Sequence, residues 1–236
     1  LETDILKPVS VLSGLLPIVL FLVFLRRNKE AKLWVIFLYT ILSLITDILF
    51  DALPQENKVS SFYLFSFFTI TEFTIFSSFI FLQIKKKALR LFIAFSSIIF
   101  YAFAINNLLT RPASSIPISE NSFDSVPASV ESILVILYCI LLYFEQMRRP
   151  EISFIYSTKV FWVATAFLLY LAATLFLFIS TASLTEKEQE AYWPINLLSN
   201  ILKNILLSIA FILPKHKSPS PSDNDLYNKA FAPPFN

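Results

Sequence analysis

Four residues that could do chemistry away from water share one apolar stretch, YWPINLLSNILKNILLSIAFILPK, which runs from Tyr192 to Lys215 and carries Asn196, Asn200, Lys203 and Asn204. Their i, i+4, i+7, i+8 spacing puts the three amides and the ammonium on one helical face, with Leu198, Ile205 and Ile209 elsewhere. A helix from Pro194 to Leu213 would rise about 30 Å, the thickness of a bilayer's hydrocarbon layer. A lysine at that depth costs from a few to more than ten kcal/mol, so Lys203 needs a bundle interior, a wet cavity or a counter-charge. Three acidic residues lie well inside other apolar runs, Asp47, Glu72 and Glu131, while Asp51 and Glu145 lie at run ends. Measured from the centres of those runs at 1.5 Å per residue, Glu72 falls level with Lys203, and Asp47 and Glu131 fall roughly 8–9 Å nearer one surface, close to Asn200 and Asn196. The expectation is a polar layer in the outer half of a bundle, with a Glu72–Lys203 ion pair as its floor. These seven residues are the candidate ligand-binding set. The plainer reading is that the pair only fixes helix register. Several charged and amide groups in one layer exceed what register needs, which favours a site. Tyr138 and Tyr170 are candidate hydroxyl donors to it.

The elements that must position these groups are transmembrane helices. Of 236 residues, 56% are hydrophobic and 15% charged, with 26 Phe and one Gly, a balance outside that of a soluble domain. The chain reads as an all-α polytopic membrane protein with seven transmembrane helices: Pro8–Leu25, Lys32–Asp51, Ser61–Ile84, Ala88–Ile105, Pro127–Met147, Lys159–Ile179 and Pro194–Leu213. The first is preceded by Glu2 and Asp4 and followed by Arg26 and Arg27, the reverse of a cleavable signal peptide, so it is expected to be retained. Polar loops are expected at Asn106–Val126 and, with EKEQE, at Glu186–Glu190. Residues 1–214 form the seven-helix domain. Residues 215–236, rich in Ser, Pro, Asn and Asp, read as a disordered cytoplasmic tail.

Charge placement sets the expected orientation. Fourteen basic residues fall on one side: Arg26, Arg27, Lys29, Lys32, Lys85, Lys86, Lys87, Arg90, Arg148, Arg149, Lys159, Lys215, Lys217 and Lys229. Four fall on the other, namely Lys7, Lys58, Arg111 and Lys187, which puts the N-terminus outside and the C-terminus inside. Trp34 and Trp162 then lie near inner helix ends, and Tyr63, Tyr192 and Trp193 near outer ones, as interfacial belt residues.

Several function classes lack their residues. The single Cys139 and single His216 supply no disulfide framework or zinc set, and no cofactor or metal is expected. One Gly excludes a phosphate-binding Gly-rich loop and a GxxxG packing motif, leaving close packing to Ser, Ala and Thr. No enzymatic role and no nucleic-acid partner are expected. A mid-helix lysine in the seventh span invites a retinal Schiff base, but Ser199 stands where microbial opsins carry an Asp, and the third span has no Arg.

The segments TITEFTIFSSFIF in the third span, STKVFWVATAFLLYLAATLFLFI around the sixth and YWPINLLSNILKNILLSIAF in the seventh resemble small seven-helix membrane proteins of Bacteroidota-type bacteria. They are similar to the membrane sensor region of some histidine kinases. The resemblance covers Pro8 to Leu213 and implies a sensory or signalling accessory role in a bacterial inner membrane, with an unidentified small ligand. Beyond Pro214 the sequence has no room for kinase domains, so a protein partner in the membrane or cytoplasm is expected to carry the signal. A small solute or proton-coupled transporter and a packing subunit of a larger membrane complex are the alternatives.

Overall fold

The structure, a computed structural model, describes residues 2–52, 58–110, 125–149, 155–180 and 186–214. The expected tail from residue 215 onward lies outside them. Seven helices follow in order: α1 (Glu2–Val23), α2 (Ala31–Ala52), α3 (Lys58–Gln83), α4 (Lys87–Thr110), α5 (Ser125–Met147), α6 (Lys159–Ser180) and α7 (Glu186–Ile212). Each contains 19 to 24 residues long and apolar enough to cross a membrane. No strand occurs among the described residues.

Two expected loops are corrected. Asn106–Thr110 are the last turns of α4 and Ser125 already belongs to α5, so only residues 111–124 of that expected loop lie outside the described helices. Glu186–Glu190 is the opening of α7, which continues through Pro194. Glu, Gln and Ala are good helix formers, and carboxylates are favoured at a helix N-terminus, so EKEQE starts a helix that hydropathy alone does not register.

α1, α2, α3, α5, α6 and α7 form a closed ring in which α1 returns to α7, and α4 leans on the outside against α3 and α5. The connector at 84–86 is short enough to force α3 and α4 antiparallel and adjacent. Leu91, Phe95 and Ile98 on α4 and Leu12, Val19 and Leu22 on α1 are exposed, as suits helices bordered by lipid tails. Between helices in lipid there is little hydrophobic driving force, so packing and polar clamps must hold the ring. The packing is aromatic. Phe76 stacks on Phe167 at 3.7 Å between centroids, and Tyr39 meets Phe76 edge-on at 4.7 Å. Phe21 stacks on Phe37 at 4.2 Å and meets Phe211 edge-on at 5.0 Å.

The end of the bundle that carries the basic connectors is pinned by two polar clamps. Asn28, fully buried after α1, donates its amide to the Phe211 carbonyl at 3.1 Å, one of the orphan acceptors of α7's last turn. Its Oδ1 accepts from the Lys159 ammonium at 2.6 Å, and the same ammonium donates to the Arg27 carbonyl at 3.0 Å. Thr158 caps α6 by accepting the Phe161 N–H at 3.2 Å. In the second clamp, Gln83 at the end of α3 accepts from Lys32 through its side chain (3.1 Å) and from Arg149 through its carbonyl (2.8 Å). Arg149 also pairs with Glu145 at 2.6 Å, and Glu145 accepts the Lys85 N–H.

Candidate functional site

The ring is packed through its middle but not through the half nearer the start of α1. There it encloses a cavity of about 70 Å³. α2 lines it with Ser43, Thr46 and Asp47, α3 with Thr69 and Glu72, α5 with Glu131, α6 with Tyr170, and α7 with Asn196, Asn200 and Lys203. Six of the seven residues singled out by type and spacing therefore share one chamber. The seventh, Asn204, is corrected: it turns towards α1, donating to Ser13 Oγ at 2.8 Å. One helical face is wide enough for residues eight apart to look at different neighbours, and α1 takes the edge that Asn204 occupies.

The floor of the chamber differs from expectation. Lys203, 1% exposed, forms no direct ion pair with Glu72; its ammonium donates to the Tyr39 hydroxyl at 2.7 Å, and Tyr39 donates to Glu72 Oε1 at 2.6 Å. A weaker contact reaches Ser43 Oγ at 3.4 Å. The ammonium also lies 4.3 Å from the ring centroid of Tyr170 and 5.0 Å from that of Tyr39, within cation–π range. Tyr39 thus accepts from the cation, donates to the anion and offers its ring as well. Beneath it, Phe76 and Phe167 close the ring.

Tyr39 was missed because it lies well inside the second span and looks like core aromatic filling. A signal was present: Tyr39, Ser43, Thr46 and Asp47 are spaced i, i+4, i+7, i+8 on α2, the same polar stripe that marks α7. Tyr138 is corrected in the opposite sense, since its hydroxyl is 2.6 Å from Ser96 Oγ, on the α4 side of α5. Tyr170 does line the chamber.

Higher on the walls, Asn200 donates to Asp47 Oδ2 at 3.2 Å and to Ser10 Oγ at 3.0 Å. This contact puts Asp47 and Asn200 at a common depth. Glu131 is 2% exposed, and its Oε1 has no hydrogen-bond partner; the buried Oδ1 of Asn200 also lacks one. Near the rim, Trp193 lines the chamber and packs on a small cluster of Ala128, Leu177 and Phe178, so it is more than a belt residue.

Chemically, the chamber offers three carboxylates, one ammonium, two amides and several hydroxyls in a water-poor surround. Sites for drug-sized molecules are about 300–1,000 Å³, so this one suits water, an ion or a very small polar molecule. Among the described residues, no three His, Cys, Asp or Glu side chains gather closely enough to hold a metal ion. No protein-family model, curated protein or solved structure matches this chain.

Proposed function

We propose that this chain is an integral membrane sensor or signalling accessory module, with its N-terminus outside and its C-terminus inside, in a bacterial inner membrane. On this reading the chamber opens to the outside, and occupancy is passed to a separate protein partner. One observation carries the proposal: the polar lining of the chamber stops at mid-span. It runs from Trp193 near the end of a span to Lys203 and Glu72 at mid-span, and there meets Tyr39, edge-on to Phe76, and the stacked rings of Phe76 and Phe167. The opposite half of the ring is packed and clamped by Asn28, Lys159, Gln83 and Arg149. A polar chamber that does not continue past mid-span, with charged groups tied to several helices, suits detection better than passage. The transporter alternative requires the aromatic floor to part in each cycle.

Access decides between them. In a Cys139→Ala background, Asn196→Cys should react with a membrane-impermeant thiol reagent only from the outer face of oriented vesicles. Labelling from both faces would mean alternating access and would overturn the sensor reading in favour of transport.

A further inference from the structure

We infer that the occupant of the chamber is a small, singly charged cation, either hydronium or an alkali metal ion, gathered by Glu131. The inference rests on reading the chamber as a binding site and names its ligand class. It starts from how the charges are already committed. Glu72 accepts the Tyr39 hydroxyl, Asp47 accepts the Asn200 amide, and Lys203 gives its protons to Tyr39 and Ser43. None of these bonds reaches Glu131, a residue of the chamber lining whose buried Oε1 is without a hydrogen-bond partner. Asn200, also in the lining, has a second buried oxygen without one, its Oδ1. The chamber therefore holds three carboxylates against one ammonium, which is bridged to Glu72 through Tyr39, and a buried carboxylate without compensation is costly.

The groups around Glu131 fit the same conclusion. α3 presents Glu72 and Thr69, α6 presents Tyr170, α7 presents Asn196, Asn200 and Lys203, and α2 presents Asp47 across the ring. α4, the remaining neighbour of α5, has no charged side chain beyond Arg90. Apart from Lys203, the polar lining is oxygen-rich, with no thiolate or imidazole, so it favours hard cations over soft ones. Among the described residues no three carboxylates cluster closely enough to chelate a metal, so a divalent ion is poorly served, and a singly charged ion can complete its shell with water. A space of about 70 Å³ holds such an ion with a few waters.

The test uses the purified full chain in detergent, with N-methyl-D-glucamine replacing alkali ions at constant ionic strength. Trp193 lines the chamber, so its emission reads occupancy, and Trp193→Phe identifies its share of the signal against Trp34 and Trp162. One arm titrates sodium or potassium chloride at fixed pH; the other varies pH without alkali ions. A saturable change in Trp193 emission in either arm is expected and names the source. Glu131→Gln should abolish the change or move its midpoint at least tenfold. If Glu131→Gln does not fold, Glu131→Asp must move the midpoint. No saturable response in either arm, or a midpoint unchanged in the folded variant, overturns the inference. A failed cation titration with one-sided labelling of Asn196→Cys leaves the sensor reading with another ligand. Two-sided labelling with a clear cation response removes the sensor reading and keeps the cation site.

Discussion

The ammonium of Lys203 and the carboxylate of Glu72 meet through a third group: the Tyr39 hydroxyl accepts from one at 2.7 Å and donates to the other at 2.6 Å. A bridged pair makes each charge depend on the phenol as well as on the other charge, so three helices, α2, α3 and α7, are joined by one hydrogen-bond chain. Tyr39→Phe keeps the ring packed on Phe76 and removes the bridge. It should destabilise by about 1.5–3 kcal/mol, the usual scale for a hydrogen bond to a charged group. Lys203→Met alone should cost roughly 3–5 kcal/mol if the floor is dry, because it strands Glu72, and adding Glu72→Gln should recover much of that. Thermal unfolding of these variants and of Glu72→Gln alone in detergent checks this; a loss in the double variant equal to the sum of the Lys203→Met and Glu72→Gln losses would mean the groups are not coupled.

The basic end makes a separate prediction about local stability. Asn28 uses both ends of its amide, one on Lys159 and one on the Phe211 carbonyl. Asn28→Asp keeps an acceptor for Lys159 and loses the donor to Phe211, whereas Asn28→Leu loses both. Hydrogen exchange at the end of α7 should rise in both variants. Global stability should fall by roughly 1–3 kcal/mol more in Asn28→Leu, since an ammonium is left short of an acceptor. Equal effects in the two variants would show that the Lys159 contact contributes nothing.

The seven spans were legible because a bilayer demands about 20 apolar residues from each crossing helix, and that demand is written in hydropathy. The common depth of Lys203 and Glu72, and that of Asn200 and Asp47, was legible because an α-helix has a fixed rise. What depth arithmetic leaves open is rotation. It could not separate Asn204, turned to α1, from Lys203, turned into the ring, or foresee that Tyr39 rather than direct contact joins the charges. Those depend on which helices are neighbours, which the order of spans does not dictate. The polar opening of α7 at Glu186 was hidden for a different reason: a hydropathy window scores EKEQE as loop although its residues favour helix.

The proposed orientation rests on the placement of Lys and Arg and is open to a direct check. A reporter fused after Lys217 should be active only in the cytoplasm, and one inserted between Ser114 and Ser119 only outside. Exchanged activities would invert the bundle and turn the chamber's mouth towards the cytoplasm.

Space as well as sequence argues against retinal. The Lys203 ammonium is held by Tyr39 and Tyr170 beside a chamber of about 70 Å³, far below the size of a chromophore site. Purified protein mixed with retinal should develop no visible band that depends on Lys203.

The seam between α1 and α7 separates structural amides from chamber amides. The chain's one glycine, Gly14, lies there: a Cβ at this position would come within 3.1 Å of Leu44 Cδ1 and 3.9 Å of Asn204 Nδ2. Beside it, Asn204 donates to Ser13 Oγ, and Ser13 donates to the Ser10 carbonyl at 2.6 Å. Leu44 can yield a few tenths of an ångström, and alanine is the better helix former, so Gly14→Ala should change stability by no more than about 1 kcal/mol. Gly14→Phe has no such room and should destabilise by about 1–3 kcal/mol or more by forcing α1 away from α2 and α7. Asn204→Leu, which removes the bond to Ser13, should lower the unfolding temperature but leave the Trp193 response of the chamber unchanged. Asn200→Leu should diminish that response, because Asn200 faces both the seam, through Ser10, and the chamber, through Asp47. A loss of the Trp193 response in Asn204→Leu equal to that in Asn200→Leu would return Asn204 to the binding set and contradict the division of the α7 face described above.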